Sequence, residues 1–290
     1  MHLQDGPLCR RCGVQYPLAA GTGPCPVCED EREYVDWAGQ RWTTPADLAA
    51  EGLRGEVREE VPGLWGIGTT PSFAIGQRAL LVPGPGGNVL WDCTALLDDD
   101  TVARVHERGG IAAIAVSHPH YYSTVAAWSR EFGDVPVYVH AADRDWVPPG
   151  VEAAPWDGAE HEILPGRTLV HLGVHFAGGS VLHWADGTDG RGAVCAGDIV
   201  TVVPDRRWVG FMYSYPNLIP EHPDTVRRAV AVLSRFRYAS LYGAWWGHVV
   251  VGDAHPTVVA SARRYLHHLG LDPDLAEVPP EGAAVPGRPG

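Results

Sequence analysis

The stretch "IAAIAVSHPH", Ile111 to His120, limits the possible folds more than any other part of this chain. Its six leading residues are all apolar and show no alternation, the pattern of a strand buried on both faces of a sheet. Such a strand needs cover on both sides, so the chain must supply helices or a second sheet around it. The strand ends in Ser-His-Pro-His, and two histidines flanking a proline can aim two ring nitrogens at one point. The surrounding texture agrees. "NVLWDC" (88–93) reads as a strand, and "DDDTVARVHERGG" as a helix opened by Asp and closed by Gly. "STVAAWSREFG" reads as a helix, and "VPVYVH", "RTLVHLG", "SVLHWA" and "GAVCAG" as strands. "DTVRRAVAVLSRFR" and "PTVVASARRYLHHLG" are amphipathic helices flanking the strand in "ASLYGAWWGH". The expected class is α/β, with sheet sandwiched between helices.

Bulk properties exclude several kinds of function. A formal charge of -13 disfavours general phosphate-backbone binding, which needs clustered positive charge. All 22 basic residues are arginine, so no lysine can form a Schiff base, and no GxxxxGK[ST] loop is present. No apolar run approaches the eighteen or so residues of a membrane span, and "MHLQDGPLCRRCG" has no secretory signature. The expected compartment is the cytoplasm.

Four of the six cysteines fall close together, as "CRRC" (Cys9, Cys12) and "CPVC" (Cys25, Cys28). Paired CxxC motifs at this spacing read as two knuckles closing on one tetrahedral structural zinc, or less readily iron. Disulfides are the alternative, though nothing indicates an oxidising compartment. The segment resembles a zinc ribbon or a rubredoxin-like knuckle. It is too short for a sizeable core, so a metal would supply much of its folding energy. The expected division is a knuckle over 1–32, a connector over 33–60, a main domain over 61–272 and a Pro/Gly-rich tail over 273–290.

Five ligand-type residues sit where strands end or strands are joined: His118 and His120, then His175 in "LGVHFAGGS", Asp198 after "GAVCAG" and His248 after "LYGAWWG". In α/β sheets, chemistry gathers at strand ends, and imidazole with carboxylate suits Zn2+, Fe2+ or Mn2+. A lone histidine there is more often structural, and Asp198 could cap a turn. The order and spacing of all five together make the case.

That ordered set resembles the metallo-β-lactamase superfamily, whose members usually read HxHxDH, then a GH-containing loop ending in GS, then GD, then a late histidine. The matching segments are "HPHYYS", "VHFAGGS", "AGD" and "GH", and "LWDC" with Asp92 matches the family's early strand ending in Asp. The resemblance covers roughly Val61 to Leu269. It implies an αββα sandwich with a metal site at one edge, between the sheets. It also implies metal ligands at His118, His120 and His175, with Asp198 at the bridging position. The family's second-metal Asp and His align with Tyr122 and Ser123. A phenol with a pKa near 10 is a poor ligand at neutral pH. His248 matches the remaining second-site ligand without its partners, so one metal is expected, not two.

The expected activity is a mononuclear metallohydrolase of a small ester, thioester, amide or lactone, using water activated by Zn or Fe. Asp198 would complete the coordination or accept a proton, His248 would act as a hydrogen-bonding acid, and Tyr122 would offer its hydroxyl to an oxyanion or simply pack. A single-iron oxygenase of persulfide-dioxygenase type is the alternative enzyme, built on His118, His175 and Asp198. A non-catalytic binding protein with the ribbon as a platform for a protein partner or a second copy is the alternative outside enzymes. For substrate contacts, "VVPDRRWVGFMYSYPNLIP" offers Arg206 and Arg207 for an anion, and Trp208, Phe211, Tyr213 and Tyr215 for an apolar wall. Core packing with exposed arginines is the plainer reading of that segment. "HAADRDW" could line the rim, or Asp143 and Arg144 could form a surface ion pair.

Overall fold

The computed structural model describes residues 6–18 and 23–275. Two sheets face each other. The first has seven strands in sequence order, from Arg54–Val61 through Leu64–Thr70, Ala79–Val82, Val89–Trp91, Ala113–Ala115 and Val137–His140 to Ala153–Trp156. Its first four are antiparallel and its later neighbours parallel. The second runs Glu160–Leu164, Arg167–His171, Ser180–Trp184, Ala193–Gly197, Ser240–Gly243, Val249–Val250, with one parallel pair, Ala193–Gly197 against Ser240–Gly243.

Side-chain alternation explains why the central strands are apolar throughout. Leu80, Val82, Val89, Trp91 and Ala115 point between the sheets, where they meet Leu169, Leu182, Trp184, Cys195 and Tyr242. Their neighbours Leu81, Leu90 and Ile114 point outward, into the layer that holds Val105, Val125 and Trp128 of the helices Asp99–His106 and Val125–Glu131. On the far side, Val170, Val181, Val194 and Leu241 meet Val226, Val230, Val258 and Ala262 of the helices Pro223–Leu233 and Ala254–His268. A strand sandwiched this way has no polar face, because period-two alternation sends every side chain into one apolar layer or the other. The architecture is the αββα sandwich expected from the sequence.

The expected connector is different in fact. Trp42–Thr43 pairs with Leu8–Cys9, Pro45–Ala50 forms a helix capped by Thr44, and Arg54–Val61 is the edge strand of the seven-stranded sheet. The sandwich thus begins at Arg54 rather than Val61. Only Val57 of "RGEVREEV" is buried, and a charged strand protects a sheet edge but hides the signal of a strand. The cysteine knuckle is docked on the sandwich. Cys9, Cys12, Val14, Tyr16 and Val27 share one apolar cluster with Tyr121, Tyr122 and Val125, and Gln15 N donates to Ser123 O at 3.1 Å. Most of the tail lies outside the described residues. No helix among the described residues is long and apolar enough to cross a membrane.

Leu182, fully buried between the sheets, tests the importance of that layer. Leu182→Ala is expected to cost about 2–5 kcal/mol in urea unfolding, through lost transfer energy and a cavity. A cost near zero would contradict the packing described.

Candidate metal centre

At the strand end, Pro119–Tyr121 forms a single 3-10 turn opened by proline, which brings His120 back beside His118 with ring centroids 4.9 Å apart. Asp92 anchors the approach, its Oδ1 accepting from Ser117 N at 2.8 Å. The two sheets are laced at this edge: Ser180 N donates to Ser117 O at 3.0 Å and Arg78 N to Ala244 O at 2.7 Å. His175 arrives from the loop between two strands of the second sheet with φ 65°, a left-handed conformation uncommon outside glycine. Its N donates to Glu221 Oε2 at 2.8 Å, and the loop closes tightly enough that a Cβ on Gly179 would stand 2.0 Å from Val174 O. Asp92 and Ser123 also have positive φ, so backbone strain collects around this edge.

Hydrogen bonding sets the tautomer of His175. Its Nδ1 lies 2.8 Å from Tyr213 O, a group that only accepts, so Nδ1 carries the proton and Nε2 is bare. That bare nitrogen is 3.2 Å from His120 Nδ1. One nitrogen from each of His118, His120 and His175 lies within 4.8 Å of the others. Asp198 adds a carboxylate, its Oδ1 3.5 Å from His118 Nδ1. His118 Nε2, His120 Nε2 and Asp198 Oδ1 are buried without a hydrogen-bond partner. Burial holds His175 neutral, its pKa lowered to about 4, and pushes those of His118 and His120 well below the ordinary value. Neutral imidazoles, orphaned polar atoms and a carboxylate around one point fit a bound divalent ion.

Among the described residues, the other group that could hold a metal is the four cysteines, whose sulfurs also lie within 4.8 Å of one another. None forms a disulfide. Arg11 N and Gln40 Nε2 approach Cys9 Sγ at 3.4 and 3.2 Å, the kind of N–H support that steadies thiolates on a metal.

Several expected site residues sit elsewhere. Tyr122 is buried with its hydroxyl donating to Asp143 O at 3.4 Å, whereas Tyr121 packs on His118 and faces the Asp198 carboxylate. His248 turns its Nδ1 to Val202 O at 2.7 Å and is not among the clustered ligands. Arg206 and Arg207 are exposed in the turn of a small hairpin, with Arg207 paired to Asp205, and Trp208 lies under Arg264. None of the three lines the cleft over the histidines. Tyr213 contributes its carbonyl to His175, and Phe211 is core. Tyr215 is at the cleft, hydrogen-bonded to Asp198 O. Asp143 is no surface partner of Arg144: it is buried and accepts from Gly178 N at 2.8 Å.

The cleft has a volume of about 330 Å³ and is lined by Ala74, Ile75, Tyr215, Pro216 and Trp245 on its apolar side, and by His120, Asp198, Arg11 and Glu33 on its polar side. Arg11 and Glu33 come from the knuckle region and have no signature in the sequence. Arg32 from the same region donates to His175 O at 3.2 Å and lies over the Phe176 ring at 4.0 Å. In the sequence these three are ordinary charges in a segment rich in them.

No protein-family profile matches the chain. It is 44% identical over 268 residues to the protein YmaE of Bacillus subtilis (strain 168), described as uncharacterized, covering 91% of this chain and 97% of YmaE. Among solved structures it resembles the DIM-1 metallo-β-lactamase, with a TM-score of 0.54, 14% identity, and coverage of 73% of this chain and 98% of that one. It is similar in fold to the metallo-β-lactamase FIM-1 from Pseudomonas aeruginosa in its mono-zinc form, with a TM-score of 0.53, 15% identity, and coverage of 73% of this chain and 96% of that one.

Burial raises the pKa of Asp92 to about 7 and that of Asp198 to about 8, from an ordinary 3.8. A raised carboxyl pKa favours the folded state while the proton is bound, so this stability is full below about pH 4 and is lost as pH rises through 7 and 8. The buried imidazoles act in the opposite sense, but only below about pH 6.5, where the unfolded chain takes up protons. With the histidine site stripped of metal, stability is expected to fall between pH 6.5 and 8, by at most about 1.4 kcal/mol per pH unit for each carboxyl. Saturating Zn2+ should flatten the slope by keeping Asp198 ionised. Urea titrations at stepped pH check this, and a rise across that window in the stripped protein would contradict it.

Proposed function

The chain belongs to the family of Bacillus subtilis YmaE and has the metallo-β-lactamase fold, and from that premise we propose that it is a metal-dependent hydrolase of a small ester, thioester, amide or lactone. The observation that carries this reading is the convergence of three neutral, buried imidazoles with Asp198 beneath a small cleft. One active-site ion fits better than two, because Tyr122 and Ser123 stand where second-site ligands would be and His248 is bonded to Val202 O. A second ion, zinc, belongs to the cysteine knuckle as a structural centre.

His118, His120 and His175 would hold the active-site ion, which supplies Lewis acidity and a water of lowered pKa at the cleft floor. Asp198 Oδ1, buried and without a hydrogen-bond partner, is the chain's own acceptor for a proton released there. The Tyr121 hydroxyl faces that carboxylate and steadies it. Tyr213 O and Glu221 lock the ring and backbone of His175, which keeps its bare nitrogen aimed at the floor. Ile75, Pro216, Tyr215 and Trp245 form the wall that orients a substrate and keeps bulk water out. The modest volume limits that substrate to a small molecule or the end of a larger one.

Protein purified without added metal is expected to carry two metal ions per chain, and His118→Ala with His120→Ala to carry one. Hydrolysis of a panel of small chromogenic esters and thioesters should fall about a thousandfold or more in that variant, given that enzymes typically accelerate reactions 10⁶-fold and beyond. Stoichiometric iron with oxygen uptake, and no hydrolysis of any panel member, would sink the hydrolase reading.

A further inference from the structure

Glu33 follows the knuckle's short helix Pro26–Glu29 in the chain, yet it lines the cleft beside His120 and Asp198. Its side chain is only 6% exposed. One oxygen, Oε2, accepts from Arg11 at 3.1 Å. The other, Oε1, stands 3.8 Å from His120 Nδ1. That same ring atom is the one facing the bare Nε2 of His175, so Oε1 looks onto the point where the histidines converge. The backbone beneath it is held firmly. Glu33 N donates to Asp30 O at 2.9 Å, Ser214 Oγ to Arg32 O at 2.9 Å, and Arg32 to His175 O at 3.2 Å. Arg11 and the backbone N–H of Tyr34 already stabilise this nearly buried carboxylate, but Oε1 is turned toward neutral imidazoles, where a further cation would find an oxygen ready to accept it. The first histidine motif offers no carboxylate of its own, since Tyr122 and Ser123 follow Tyr121 there.

We propose that Glu33, delivered by the cysteine knuckle, contributes its Oε1 to the metal centre on the side the histidines leave open, with Arg11 holding it in place. This rests on the reading that the histidine cluster holds a metal. The knuckle is then part of the active site rather than a separate module. Arg11 lies between Cys9 and Cys12, so the order imposed by the cysteine-bound ion is passed to Glu33 through the Arg11 ion pair. The cysteine centre thus helps to build the histidine centre.

The test is Zn2+ affinity of the full chain, measured by competition with a chromogenic zinc chelator. Glu33→Gln is expected to weaken the histidine site about 100-fold or more while the cysteine-bound zinc is retained, because loss of a direct ligand should cost at least the upper end of the 10- to 100-fold found for residues that only support one. Arg11→Gln removes the support but keeps the carboxylate, and should weaken the site about tenfold, the low end of the loss for a residue that only supports a ligand. Retained cysteine-site zinc and an unchanged circular dichroism spectrum show that the variants are folded. Histidine-site affinity within twofold of wild type in Glu33→Gln would overturn the inference. So would equal losses in the two variants, which would mark the pair as merely structural. His120→Ala separates the two readings. If it loses one zinc while Glu33→Gln changes nothing, only the role of Glu33 falls; if it keeps both, the histidine centre falls as well.

Discussion

The structure depends on the burial of its central strands on both faces. Ala113–Ala115, Val89–Trp91 and Ala193–Gly197 have no solvent-facing side, so these central strands carry no polar chemistry along their length. Polar groups are displaced to the strand ends, where the backbone turns and water or an ion can reach them. Asp92 and Asp198 stand immediately beyond such ends, and His118 follows Ala115 after Val116 and Ser117. The lacing of Ser180 to Ser117 and of Arg78 to Ala244 brings the ends from both sheets to one edge.

At that edge the side chains are held at a cost. Three residues of the region adopt left-handed backbone, and buried polar atoms of His118, His120 and Asp198 have no hydrogen-bond partner. Such features destabilise a chain unless something else offsets them, and a bound cation would do so in one step. Burial also keeps the imidazoles neutral, the form that can ligate. The same low-dielectric surroundings that make the carboxylates reluctant to ionise would make their attraction to a cation strong.

The knuckle changes the meaning of the site. Its cysteines are as deeply buried as the core of the sandwich, and its charges reach the cleft: Arg11, Glu33 and, against His175, Arg32. The cation beside the cleft is thus Arg11 near the N-terminus, not Arg206 or Arg207 on their exposed hairpin. The aromatic beside His118 and Asp198 is Tyr121, one position before the tyrosine expected from the motif. In a tight 3-10 turn a shift of one residue rotates the side chain by about a third of a revolution, so spacing alone chose the wrong ring.

The sequence by itself determined the two-sided burial of the sheets, the helices that cover them, and the ligand types at the strand ends. These are local properties: apolar periodicity, capping residues and motif spacing are written within a few positions of one another. It also marked the four cysteines, because a metal knuckle is set by close spacing. The charged edge strand Arg54–Val61 was hidden, since exposure removes the alternation that reveals a strand. Only the tertiary structure decided that the knuckle folds over the histidines, that Glu33 faces His120 and that His248 turns away to Val202. Those choices join residues scores of positions apart, and they follow from how separate surfaces pack, which no local pattern records.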